Sequence, residues 1–127
     1  MKNIFALFLL ISLFIFFIGC ENDKSEIEYV VNSDVNVFPA KIKYVNSNQK
    51  EITLVDVTLP WEYSFKAEGG DQINLSADIY LTGNINFTGT DTMRLKILLN
   101  GSVFKEAKGI IINNSMDEVS IGGTVPD

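Results

Sequence analysis

The chain has 127 residues, 10 basic and 16 acidic, no histidine and one cysteine. Its net charge of −6 excludes a nucleic-acid-binding surface of the usual basic kind, because phosphates need cations to neutralise them. The missing histidine excludes Ser-His and Cys-His catalysis and zinc sites built on His, and a single cysteine can close no internal disulfide.

The first element in chain order is the apolar run Ile4–Ile18, which follows Lys2 and ends at Gly19-Cys20. As a helix it would rise about 22 Å, short of the roughly 30 Å hydrocarbon core of a bilayer. A short apolar run behind one basic residue reads as a secretory signal rather than a span. Phe17-Ile18-Gly19-Cys20 resembles the lipobox of bacterial lipoproteins, with Phe17 where leucine is most usual. In that family the peptidase cuts before a cysteine whose sulfur already carries diacylglycerol. The resemblance implies a signal peptide over 1–19 and lipidation of Cys20. A lone free thiol in an oxidising compartment would be a liability, and several acyl chains together hold a protein firmly on a membrane. The competing reading is an uncleaved apolar anchor with Cys20 incidental. Cleavage would remove Lys2 and take the net charge from −6 to −7. The acyl group, and no basic patch, would then be the membrane contact. The expected location is the extracytoplasmic side of the outer or cytoplasmic membrane.

Residues 20–28, rich in acids and polar groups, read as a flexible tether, and 29–127 as one domain. From Tyr29 onward the apolar pattern has period two. Ile73, Leu75, Ala77, Ile79 and Leu81 alternate with Asn74, Ser76, Asp78 and Tyr80. Trp61, Tyr63 and Phe65 alternate with Glu62, Ser64 and Lys66, and Met93, Leu95, Ile97 and Leu99 with Arg94 and Lys96. Strict alternation means strands with one wet face, and no stretch shows helical spacing. Pro60 interrupts the run from Ile52 to Lys66, which predicts an edge, a bulge or a crossing between sheets. Seven or eight short strands with turns every 8–12 residues predict an all-β fold, a single antiparallel β-sandwich.

Two turns carry register. Asn100-Gly101 predicts a two-residue hairpin loop pairing Leu99 with Ser102, Ile97 with Phe104 and Lys96 with Lys105. If Glu68–Asp71 is also a hairpin, parity favours a three-residue loop with Gly70 left-handed, setting Phe65 against Ile73 and Tyr63 against Leu75.

The stretch Val57–Ala77, VTLPWEYSFKAEGGDQINLSA, resembles the core of the MmpS-type domain, the small mycobacterial membrane protein family. The parts that match are Leu59-Pro60-Trp61, Tyr63-Ser64-Phe65, Leu75-Ser76-Ala77 and Leu95–Gly101, and the likeness extends over about residues 40–125. It departs in lacking a cysteine pair and in having Cys20 where those members have a membrane helix. The resemblance implies an immunoglobulin- or transthyretin-like sandwich outside a membrane, and an accessory role beside a large exporter.

No cofactor is expected beyond the covalent lipid on Cys20, and no metal. Asp91 in Thr88–Thr92 and the pair Asp117-Glu118 are loop acids with oxygen-rich neighbours, but they lack calcium-loop spacing and read as ordinary turns. Trp61 is expected at the corner beside Pro60, facing the core. Lys66, Asp78 and Tyr80, on the polar faces of their strands, are the candidate contact surface. The function expected is a non-catalytic binding or accessory module with a transporter or other envelope protein as partner. The alternatives are a ligand- or glycan-binding surface lipoprotein, or a structural envelope component.

Overall fold

The computed structural model describes residues 23–83 and 87–127. Among them are eight strands and no helix: β1 (Ser25–Ser33), β2 (Ala40–Val45), β3 (Glu51–Val57), β4 (Trp61–Ala67), β5 (Gln72–Ile79), β6 (Thr90–Leu99), β7 (Ser102–Ile112) and β8 (Val119–Thr124). They form two four-stranded antiparallel sheets, ordered β4-β1-β6-β7 and β3-β2-β5-β8. This is the all-β sandwich that the alternation predicts. The core lies between the sheets, where Ile27, Tyr29 and Val31 of β1, Ile73, Leu75 and Ala77 of β5 and Met93, Leu95 and Ile97 of β6 are buried, whereas most inward residues of the edge strands β3 and β4 are partly buried.

The strand β1 begins at Ser25, so Ser25–Glu28 belong to the sandwich and not to the tether. The acid-rich composition that suggests a linker is itself an alternation. Glu26 and Glu28 face solvent while Ile27 is fully buried between Phe65 of β4 and Leu99 of β6. A central strand needs only one apolar face when the other side of its sheet is wet.

Pro60 marks a crossing: the Thr58–Pro60 link carries the chain from the edge strand β3 to β4 on the edge of the other sheet. The Glu68–Asp71 turn crosses back, from β4 to β5, so it is not a hairpin. Gly70 does take positive φ (89°), but Phe65 pairs with Ile27 and Tyr63 with Tyr29 rather than with β5. Asn100-Gly101 is a true two-residue loop with both φ values positive, and Leu99 pairs with Ser102. One step in, a bulge at Ile97/Leu98 shifts the register. Ile97 therefore pairs with Lys105 and Lys96 with Glu106, an opposite charge instead of the like charge expected. A second bulge sets Val55 and Asp56 of β3 against Lys41 of β2, with Asp56 at φ 55°.

The sandwich is a wedge. Along one side β7 and β8 approach closely, whereas β3 and β4 do not on the other. Gly109 permits the approach: a Cβ there would stand 2.5 Å from Val119 Cγ2 and 2.9 Å from Met116 Sδ. On the open side the gap is filled by rings. Trp61 lies parallel to Tyr63 with centroids 6.3 Å apart, and Tyr44 lies 5.4 Å from Trp61 and 4.8 Å from Tyr63.

The connections separate into two ends. The turns 46–50, 68–71 and 100–101 lie at the base, with the start of β1 and the C-terminal residues. The links 34–39, 58–60 and 113–118 lie at the tip, with residues 80–83 and 87–89.

Candidate functional site

Cys20 and the lipobox lie outside the described residues. Ser25 is five residues on, so the chain between Cys20 and the base spans at most about 17 Å. The nine residues of β1 then carry the fold about 30 Å to the tip.

Trp61 faces inward from the start of β4, as expected of the corner. It is half-buried rather than central, because the open side of the wedge leaves its outer edge in solvent. The centre of that aromatic group is Tyr29, fully buried, 5.3 Å from Phe65 and 5.9 Å from Tyr44. Its hydroxyl crosses between the sheets, donating to Val45 O (2.8 Å) and accepting from Asn74 N–H (3.3 Å). It stands one step beyond the last β2–β5 pair, Tyr44–Leu75, where that ladder would otherwise continue. Burial pushes the Tyr29 hydroxyl up to about 12, against the lowering effect of the Asn74 N–H and with help from Tyr63 and Tyr44. Burial, with Tyr63, raises Tyr44 too.

Lys66, Asp78 and Tyr80 do not form one surface. Lys66 is at the base on the outer face of the first sheet, 3.9 Å from Glu26. Asp78 is at the tip end of the second sheet, opposite Lys41, with Oδ1 accepting from Ile79 N–H (2.7 Å). Tyr80 follows it, with its N–H on Pro39 O (2.8 Å). Only Asp78 and Tyr80 are neighbours. Shared wet-face parity says nothing about which sheet a strand joins.

The tip is organised by a residue that spacing alone assigns to a turn. Asp91 is buried at the start of β6, 2% exposed. Its Oδ1 accepts from the N–H groups of Thr92 (2.7 Å), Asp34 (3.1 Å) and Val35 (3.3 Å). Its Oδ2 is also buried and has no hydrogen-bond partner among the described residues. Next to it Asn36, at φ 53°, accepts from Ser33 N–H through Oδ1, and its own N–H donates to Ser33 Oγ (2.9 Å). The backbone N–H groups of Ser33, Asp34, Val35 and Asn36 are therefore all held. The signal for this was available, because Asp91 shares parity with Met93, Leu95 and Ile97.

Among the described residues, shallow grooves open to solvent include two, on the first sheet and at the base. One runs along Arg94, Lys96, Glu106 and Lys108 on the outer face of the first sheet, and one lies at the base beside Glu68, Asn100 and Asp127. Among the described residues no group of three His, Cys, Asp or Glu side chains is placed to hold a metal ion. No helix among them is long and apolar enough to cross a membrane.

No protein-family model matches the chain, and no curated protein matches it.

Proposed function

We propose that this protein is a non-catalytic lipoprotein, held at a cell-envelope membrane by acyl chains on Cys20, that acts as a binding or accessory module for another envelope protein. The observation that carries the reading is the Gly19-Cys20 boundary behind a short apolar run, in a chain with no other thiol. Two features support it. The sandwich starts five residues later, at its base, so an anchor at Cys20 leaves the loop-bearing end pointing away from the lipid. The chain also lacks histidine, and its loop acids serve as backbone acceptors or lie in solvent. The resemblance to the MmpS-type domain adds an exporter as the class of partner.

Metabolic labelling with an alkyne fatty acid, followed by mass spectrometry of the N-terminal peptide, tests the anchor. The expected mature chain starts at an acylated Cys20, and Cys20→Ala is released from membranes. A bare thiol with residues 1–19 still attached would end this reading. Co-purification of the acylated protein with a transporter from detergent extracts tests the accessory role.

The half-buried rings of Trp61 and Tyr63, parallel to each other, favour a second reading, a glycan-binding surface lipoprotein, since aromatic rings stack on sugars. Trp61 is the only tryptophan, so a change in its fluorescence on titration with envelope oligosaccharides separates the two readings.

A further inference from the structure

Large apolar side chains exposed to water are unevenly placed on this fold. Val35, Val37, Leu81, Ile110 and Ile112 all stand at or beside the tip, with Val35 48%, Leu81 46% and Ile112 54% exposed. Among the described residues, Val103 at the base and Val55 on the edge strand β3 are the other two at comparable exposure. Registers bring Val35, Ile110 and Ile112 together. Thr90 and Thr92 of β6 pair with Ile112 and Ile110 of β7, and Asp34 N–H donates to Thr92 O (3.3 Å) next to Val35.

The loop that displays Val35 and Val37 is not a loose connection. It is held by the buried Asp91 carboxylate and the Ser33–Asn36 exchange, and it includes a non-glycine residue at positive φ. A buried carboxylate oxygen without a partner and a left-handed asparagine both disfavour folding. Their result is two valines fixed in water, which do nothing for the core. Rigid presentation of apolar groups lowers the ordering cost of binding.

Charge narrows the occupant. Among the described residues of the tip links, 34–39, 58–60, 80–83, 87–89 and 113–118, are Asp34, Asp117 and Glu118 and no lysine or arginine. The nearest cations sit in the strands, where Lys41 lies opposite Asp78, Arg94 meets Asp34 (3.4 Å) and Lys43 meets Glu118 (3.9 Å). An acidic rim is repelled by an anionic bilayer and by the same tip on a second copy. Resting on the binding role above, we infer that the tip is the docking surface, and that it takes a protein partner presenting an apolar patch flanked by lysine or arginine.

The test uses the full-length protein in its own membranes, with a photoreactive benzoylphenylalanine placed in turn at positions 35, 112 and, as the basal control, 103. The expected result is an adduct to one envelope protein from 35 and 112 but not from 103. Mass spectrometry of the adduct should find the crosslinked partner peptide apolar and bordered by Lys or Arg. Asp117→Lys with Glu118→Lys, both outside the Asp91 cradle, should lower the adduct yield at 35 by about tenfold. Lipid adducts at 35, adducts to a second copy, or a yield indifferent to the charge reversal would each overturn the inference. Protein adducts from 103 alone would overturn the docking surface and leave the binding role standing. Protein adducts from no position would remove both.

Discussion

Raising the pH above 10 should destabilise this protein through one buried hydroxyl, Tyr29. Its native pKa is about 12, whereas an unfolded tyrosine titrates near 10. The folded state therefore keeps a proton that the unfolded state releases. The stabilisation is fully present below pH 10 and is lost as pH rises towards 12. Two pH units correspond to about 3 kcal/mol in the limit, and linkage gives a loss of about 1 kcal/mol at pH 11. Tyr44, also raised, acts in the same direction. Tyr29→Phe separates the effects. At pH 8 it removes the bridge to Val45 O and Asn74 N–H and should cost about 1–2 kcal/mol. It should then lose less stability than wild type as pH rises, so that the two stability curves converge by about pH 11. Urea unfolding followed by far-UV circular dichroism measures both curves, and absorbance at 295 nm in the native state counts the tyrosines that ionise. If the variant falls in parallel with wild type, or if every tyrosine ionises near 10 while the fold persists, the account of Tyr29 is wrong.

Asp91→Ala should lower stability by about 3 kcal/mol, since it strips a charged acceptor from the Thr92, Asp34 and Val35 N–H groups. Hydrogen exchange at Val35 should speed up with it, and Asp91→Asn, which keeps one acceptor oxygen, should cost less than half as much; equal exchange in all three proteins would refute the cradle. Gly109→Ala should cost about 1–3 kcal/mol, because the new methyl meets the stiff Val119 side chain and Met116. Adding Val119→Ala should recover part of that loss in a double-mutant cycle, and purely additive urea midpoints would show that the close approach is not limiting. Lys66→Ala should change stability by less than about 0.5 kcal/mol, because its ion pair with Glu26 is exposed; a larger shift in the urea midpoint would show that the pair matters.

The alternation of Met93, Leu95 and Ile97, of Ile73, Leu75 and Ala77, and of Trp61, Tyr63 and Phe65 is legible without a structure. Side chains on a pleated strand take opposite sides at every step, so apolar parity and inward facing are the same fact. The left-handed glycine in Glu68–Asp71 and the two-residue loop at Asn100-Gly101 are equally local, because few residues tolerate positive φ. Ser25–Glu28 was legible too, once Glu26 and Glu28 are seen as the wet face of a strand and not as a linker.

Pairing is another matter. The same period-two strands can be ordered in many ways, and nothing within β4 or β5 states that they belong to different sheets. That follows only from how the two sheets share one core, and it scatters Lys66 from Asp78 and Tyr80. The bulge at Ile97/Leu98 shifts Lys96 from Lys105 to Glu106 for a similarly non-local reason, since it depends on how β7 lies across β6. The sequence alone thus settled the all-strand character, the inward face of each strand and the chemistry available. The three-dimensional packing alone decided which strands are neighbours, that Asp91 is a buried anchor, and that Val35, Ile110 and Ile112 meet at the end opposite the start of β1. Local sterics act within a few residues, whereas those outcomes come from contacts between residues dozens of positions apart.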